Sequence, residues 1–332
     1  MHAILYSEKN KTTHSELDDP TPAANEVVVD VRASGICHTD IEVLRGNYGE
    51  NAFPLVPGHE YAGEVSAVGS EVEGFSVGDR VVVDPNFECG DCRACKKGWA
   101  HLCENLGAYG VTTHGGFAEK SVVNSSALHN IGDMPFELAA LAEPMGCVLN
   151  GLDASRAIDA DNALIFGGGP MGLLLAVGMQ VRGVKDISIV DLNESRLSLV
   201  ESFGFKPIAV GSAEVDAQQH GTDLVVDATG VLSVAQKMTD YISNGGVGLY
   251  FGVCPSEARI QISPFEVFRR QLSLVGSHSL NHNIPEAISV IKEFGSDIGK
   301  ITTHKLPFEE INQALTGNFP AGSMKIQWQS GL

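Results

Sequence analysis

The stretch Ala163-Leu164-Ile165-Phe166-Gly167-Gly168-Gly169-Pro170-Met171-Gly172 decides how this chain folds. Its first half is a short apolar run that reads as a buried strand, and PMGLLLAVGMQVRG, from Pro170, reads as a helix. Glycines 167, 169 and 172 place a G-x-G-x-x-G pattern on the junction. The pattern alone is weak, but between strand and helix it has a mechanism. Gly167 makes the turn, Gly169 lets backbone approach a pyrophosphate, and Gly172 lets the helix pack on the strand. Phosphates, with Pro170 and Met171 beside them, then meet the free N–H groups of a helix N-terminus. A glycine-rich turn without a ligand is the competing reading.

Outward from this junction the pattern repeats. ISIVD (187–191), DLVVDATG (223–230), GVGLYFG (246–252) and LSLVGS (272–277) are further apolar runs, with helical stretches such as NESRLSLVESFG between them. Alternation of buried strands and helices predicts a doubly wound parallel sheet. Asp191 ends the second strand, where a carboxylate accepts hydrogen bonds from ribose hydroxyls and repels a 2′-phosphate, so NAD is favoured over NADP. Arg196 either flanks the adenine or weakens that preference. Thr229, Gly252, Val253, Ser277 and His278, which follow the later strands, complete the expected cofactor-binding set.

The first 130 or so residues read differently. EVVVDVRA (26–33), YAGEVSAVG (61–69) and DRVVVDP (79–85) are β-branched runs bounded by turn residues. No long amphipathic helix interrupts them, which predicts a partly closed antiparallel β structure. After about residue 281 the chain changes again, to an amphipathic helix (PEAISVIKEFG) and a final strand (MKIQWQ). With 332 residues, too many for one ordinary core, these shifts divide the chain into 1–148, 149–281 and 282–332.

A net charge of −19 argues against nucleic acid or anionic membrane as partner, since both need basic patches. No apolar stretch reaches the roughly 20 residues of a membrane span. MHAILYSEKN has no secretory pattern, so a reducing cytoplasm is expected. Clustered cysteines there are more often metal ligands than disulfides. Cys89, Cys92, Cys95 and Cys103 have C-x2-C-x2-C-x7-C spacing, which matches a closed, structural zinc site. An iron–sulfur cluster or unrelated thiols are the alternatives.

A second set is dispersed: Cys37, His59-Glu60 and Glu143. Singly, each has an ordinary explanation as a buried thiol, a core histidine or a helix N-terminal carboxylate. Together with the rest of the chain they do not. Gly58-His59-Glu60-Tyr61-Ala62-Gly63, continuing to Gly69 and Val72, resembles the signature of zinc-containing medium-chain alcohol dehydrogenases. Cys37-His38-Thr39-Asp40 resembles that family's cysteine-ligand segment, and the four-cysteine loop its structural zinc lobe.

The resemblance covers essentially the whole chain. It implies a GroES-like β domain with a Rossmann domain, a C-terminal segment returning to the β domain, and two zinc ions per chain. It implies an enzyme in which zinc lowers the pKa of a substrate hydroxyl while hydride passes to the nicotinamide. Thr39 is implied as the first proton acceptor and Asp40 as the group that orients His59. Glu143-Pro144 resembles the polyol, threonine and butanediol dehydrogenase branch, whereas ethanol-type enzymes have cysteine at that position. Zinc held by Cys37, His59 and both carboxylates would be closed to substrate, so one of Glu60 and Glu143 is expected to bind weakly or through water. Many relatives carry histidine where this chain has Glu42, at the outer end of the proton relay. Ser279 stands where sorbitol dehydrogenases carry an arginine, and Tyr109, His278 and Asn281 are candidate pocket groups. The expected substrate is a small polyol. L-Threonine or a vicinal diol is the alternative on the same machinery, and a non-catalytic NAD-binding sensor or structural protein the alternative outside it. A homo-oligomer, dimer or tetramer, is expected from the resemblance.

Overall fold

The computed structural model describes residues 1–48, 53–156 and 160–331. The chain divides into two compact units, Met1–Pro144 with Leu280–Leu332, and Met145–Ser279.

The chain opens on a hairpin, β1 (His2–Glu8) and β2 (Lys11–Glu16), turned at Asn10 in the left-handed region (φ 61°). There follow β3 (Glu26–Gly35), α1 (His38–Leu44), β4 (Glu60–Val68), β5 (Arg80–Val83), β6 (Asn86–Phe87), β7 (Gly107–Ala108), β8 (Lys120–Asn124), β9 (Leu128–Asn130), α2 (Phe136–Ala139) and α3 (Ala142–Ser155).

The second unit supplies β10 (Asn162–Phe166), α4 (Pro170–Val181), β11 (Asp186–Asp191), α5 (Glu194–Ser202), β12 (Lys206–Ala209) and α6 (Ala213–Asp216). It continues through β13 (Thr222–Asp227), α7 (Leu232–Lys237), β14 (Ile242–Tyr250), α8 (Pro264–Arg270) and β15 (Ser273–Gly276). The chain then returns to the first unit with α9 (Ile284–Phe294), β16 (Thr302–Leu306), α10 (Phe308–Ala314) and β17 (Lys325–Gln329).

In the first unit β3 is the hub. The main sheet runs β16-β17-β3-β4-β5-β9, and β8 also pairs with β3. Val27, Val29 and Val31 of β3 are buried against Tyr6, Tyr61, Val65, Val81 and Phe117, as expected for a strand with alternate side chains in a core. At the far end Trp328 of β17 stacks on Phe308, with ring centroids 4.3 Å apart. The sheet is mixed rather than purely antiparallel as the sequence predicts, because α10 carries the chain over from β16 to a parallel β17.

The second unit is the predicted parallel sheet, in the order β12-β11-β10-β13-β14-β15. Strand order reverses between β10 and β13, and ligands of such sheets bind at the strands' carboxyl ends at that reversal. α4 is buried from Gly172 to Met179, which is why its sequence is apolar on every side. No helix among the described residues is long and apolar enough to cross a membrane.

The cysteine loop between β6 and β7 buries little beyond Ala100 and Cys103 and is held from the C-terminal segment. Asn281 accepts from Ala100 N (3.1 Å) and donates to Gly98 O (2.9 Å), while Asn86 Nδ2 donates to Leu280 O (3.2 Å). Asn281, a candidate pocket group in the sequence, is therefore spent on holding the loop. Tyr109 is likewise committed, accepting from Asn124 N (2.9 Å). Asp84, beside this loop, is 4% exposed, accepts from Asn86 N (3.1 Å) and lies 3.9 Å from His282 Nδ1.

Burial pushes the Asp84 carboxyl up to about 6, against the smaller opposing effects of Asn86 and His282. Such a group holds its proton more tightly when folded. The stability it contributes is complete below about pH 4 and is lost as pH rises through about 6, a change of about 3 kcal/mol. Asp84→Asn keeps the acceptor for Asn86 without the charge. It is expected to raise the unfolding temperature at pH 8 and leave it unchanged near pH 4; equal shifts at both would contradict the assignment.

Candidate active site

Cys37 lies just beyond the end of β3 and caps α1. His59 and Glu60 lie at the start of β4, the neighbour of β3, with Gly35 paired to Glu60. One ligand atom from each of Cys37, His59 and Glu60 falls within 4.8 Å of the others. Sheet pairing thus brings together residues more than 20 positions apart.

Asp40 holds this group in place. Its carboxylate is fully buried, and a buried charge is tolerated only when its oxygens are occupied. Oδ2 accepts from Cys37 N (2.8 Å), and Oδ1 accepts from Gly58 N (3.2 Å) and lies 3.3 Å from His59 Nδ1. One side chain therefore fixes the cysteine's backbone and the turn before the histidine, and places its carboxylate beside the imidazole. Gly58 needs its φ of 95°, and a Cβ there would strike Phe117. Burial alone would lower the pKa of His59, but Asp40 and then Cys37 together outweigh it and hold the pKa well above the usual value. A divalent cation at the ligand atoms would reverse this, because its charge favours the neutral imidazole.

Glu60 is 1% exposed. Its Oε1 accepts from the ammonium of Lys325, while Oε2 has no hydrogen-bond partner among the described residues. A thiol, an imidazole and a carboxylate with an unpaired buried oxygen are a donor set that fits zinc. Glu143, in the first turn of α3, is buried but stands outside the 4.8 Å group. Thr39 is half-buried in the first turn of α1. Glu42, one turn on, accepts from Arg45 Nη1 (2.8 Å) and Asn47 Nδ2 (3.0 Å), with His38 Nε2 3.4 Å away. Those contacts, Asn47 first, hold its carboxyl below the usual range.

Lys325 is a residue of this site that sequence reasoning missed. Nothing in MKIQWQ marks its lysine as buried, yet it is 4% exposed. Burial would lower its pKa, but Glu60, then Cys37 and Glu143, outweigh burial and raise it.

In the cysteine loop all four thiol sulfurs lie within 4.8 Å of one another. The separations are 3.5 Å for Cys92–Cys95 and Cys89–Cys103, and 4.0 Å for Cys92–Cys103. Zinc–sulfur bonds of about 2.3 Å in a tetrahedron put sulfurs about 3.8 Å apart, so the four fit one ion and leave no room for a larger cluster. Backbone N–H groups, of Cys95 first, bring the Cys92 thiol down to about 6, whereas burial pushes Cys95 up to about 12.

The expected cofactor residues line one edge of the parallel sheet, at the ends of β10, β11, β13, β14 and β15. Gly167 has a φ of 106°, Gly169 caps α4, Pro170 and Met171 open it, and a Cβ on Gly172 would strike Gly167 O. Asp191 accepts from Gly168 N (2.7 Å) and Asn193 N (2.8 Å), and Arg196 Nη1 lies 3.6 Å from it. Asp227, which sequence reasoning passed over, accepts from Thr229 N (2.8 Å), Thr229 Oγ1 (2.6 Å) and Gly230 N (3.2 Å). Gly252 packs so closely on Gly230 that a Cβ would strike its nitrogen, and Val253 beside it is 91% exposed. The hydroxyl of Ser277 is buried without a partner among the described residues. The carbonyls of His278 and Ser279 accept from Asn150 Nδ2 (3.0 and 2.9 Å).

Asp40→Asn turns one acceptor oxygen into a donor that faces other N–H groups. Metal affinity at the Cys37 site is expected to fall roughly 10- to 100-fold in chelator competition. An unchanged affinity would remove Asp40 from its orienting role.

Residues 23–133 match the alcohol dehydrogenase GroES-like domain family, and residues 137–324 match the glucose dehydrogenase C-terminus family. The chain is 48% identical to D-altritol 5-dehydrogenase of Agrobacterium fabrum (strain C58) over 99% of both proteins. It is 31% identical to D-arabinitol dehydrogenase 1 of Uromyces fabae, over 95% of this chain and 93% of that one. A crystal structure from Sinorhizobium meliloti 1021, assigned as a zinc-binding dehydrogenase and bound to NADP, superposes with a TM-score of 0.93. That alignment covers 99% of this chain and 98% of the other at 27% identity. With its GroES-like and Rossmann units and these relatives, the chain belongs to the zinc-containing medium-chain alcohol dehydrogenase family.

Proposed function

We propose that this dehydrogenase oxidises a secondary hydroxyl of a sugar alcohol to a ketone, with NAD as hydride acceptor and two zinc ions per chain. The observation that carries the reading is the donor set of Cys37, His59 and Glu60, organised by a buried Asp40. Both curated relatives reported above act on sugar alcohols, which supports the substrate class. Zinc, when bound, supplies a Lewis acid that makes a hydroxyl more acidic. Cys37 and His59 would hold it, with Glu60 or Glu143 as the carboxylate ligand, and the four-cysteine loop would hold the structural ion.

The remaining work belongs to the protein. Asp40 holds the imidazole of His59 in one orientation. Thr39 accepts the proton from the substrate hydroxyl, and Glu42 serves as the outer proton acceptor. Asp191 accepts from the adenosine ribose hydroxyls through whatever capacity Gly168 and Asn193 leave free, and its charge opposes a 2′-phosphate. The S. meliloti structure holds NADP, so the arrangement around this position decides the cofactor. Here the Asp191 carboxylate favours NAD, and Arg196, 3.6 Å from it, is the group that works against that preference. The cysteine cluster, read as a set of metal ligands rather than disulfides, supports a reducing, cytoplasmic setting, and a homo-oligomer, dimer or tetramer, belongs to the same reading.

A panel of alcohols followed by formation of reduced cofactor, with metal analysis, tests the proposal. Sugar alcohols are expected to be oxidised with NAD in preference to L-threonine and butanediol, activity to disappear with chelator, and two zinc ions to be found per chain. Asp191→Ala is expected to narrow the preference for NAD over NADP by roughly tenfold or more. Activity confined to threonine or a simple diol, or an NADP preference in the unaltered protein, would overturn the corresponding part.

Glu42 stays ionised across the neutral range, so it adds no titration there. Glu42→His is expected to bring a new acid limb near pH 6.5, about the reference value for histidine, into the profile of kcat/KM. Superimposable profiles would remove Glu42 from the proton path.

A further inference from the structure

Lys325 occupies a position where a sheet interior ordinarily takes an apolar side chain. It opens β17, and its ammonium donates to Glu60, 265 residues earlier in the chain. The strand register builds the socket for this pair. Gly35 of β3 pairs with Glu60 on one side and with Gln327 of β17 on the other. A Cβ on Gly35 would strike Glu60 Oε2 and stop 3.3 Å from Lys325 Cε. Stability alone gives no reason for such a pair, since apolar residues of similar volume commonly serve as well or better.

The surroundings of Lys325 supply a reason. Glu60, which accepts from Lys325, shares the 4.8 Å donor group with Cys37 and His59, and Glu143 is buried outside that group. Should Glu143 join those three, the site has four protein donors, and four fill a tetrahedral zinc and exclude substrate. We propose that Lys325 is a positioning residue of the metal centre, which competes with zinc for Glu60 and so keeps one coordination position open for the alcohol. Glu60 is near enough to ligate, but Oε1 is already engaged by a full positive charge. The inference rests on the metal-centre reading above.

Cobalt(II) in place of zinc reports the coordination shell by its visible absorption, independently of turnover. The closed four-cysteine site gives no response to added imidazole, so an imidazole-induced difference spectrum reads the open site alone. The unaltered holoenzyme and Lys325→Arg are expected to respond alike. Lys325→Met frees Glu60 to fill the shell and is expected to need roughly tenfold more imidazole. Lys325→Met combined with Glu60→Gln is expected to recover the original response. A Lys325→Met protein that responds like the unaltered one overturns the proposal.

Should Lys325→Met fail to fold, Glu60→Gln alone decides, because it keeps an acceptor for Lys325 and removes the charge. Unchanged cobalt content and imidazole response support the proposal, and lost cobalt overturns it by making Glu60 a resting ligand. No imidazole-dependent band in the unaltered protein would instead overturn the metal-centre reading, and this inference with it.

Discussion

A carboxylate removed from water must have its oxygens occupied, and in this protein the buried carboxylate of Asp40 turns that requirement into a site. Its partners are Cys37 N, Gly58 N and the ring of His59. Meeting them at once sets where α1 begins, how the chain enters β4 and which way the imidazole faces. The conformation of Gly58 and the space left by Gly35 are conditions for the same arrangement. If the Asp40 contacts were lost, the thiol and the imidazole would remain in the chain but would no longer be held against each other.

β3 gives that arrangement its frame. It pairs with β4, β8 and β17, so the thiol just beyond its end, the histidine just before β4, the glutamate that opens β4 and the lysine that opens β17 are all placed by one sheet. Metal centres need ligands held to a fraction of an ångström, and sheet positions supply this better than loops. The cysteine loop shows the contrasting solution. It has little core and depends on Asn281, Asn86 and the expected ion for its order. The cofactor edge of the second unit is a third case. There Asp191 and Asp227 each gather backbone N–H groups from the loops that follow their strands, so the loops are shaped before any ligand arrives.

Much of this was legible in the chain. The alternation from β10 to β15 and the glycines at 167, 169 and 172 are local patterns with local causes. The short N-terminal hairpin was not legible, because Lys11–Glu16 is polar and carries no periodic apolar signal. The parallel pairing of β16 with β17 was also missed, since it depends on a crossover through α10. Among the candidate pocket residues, Asn281 and Tyr109 proved to be structural. A polar side chain's type is visible in sequence, but its partner is not.

By itself, then, the sequence determined the fold class, the four-thiol loop and the dinucleotide fingerprint, because periodicity, ligand spacing and turn chemistry act over a few residues. The tertiary structure alone decided what surrounds the dispersed donors. Asp40 meets His59 across 19 positions, Asn281 meets Gly98 across 183, and Lys325 meets Glu60 across 265. Contacts at such separations are made by strand register and burial, and no local pattern records them. The physical reason is desolvation: a charge's environment sets what it can do, and that environment exists only once the strands have closed around it.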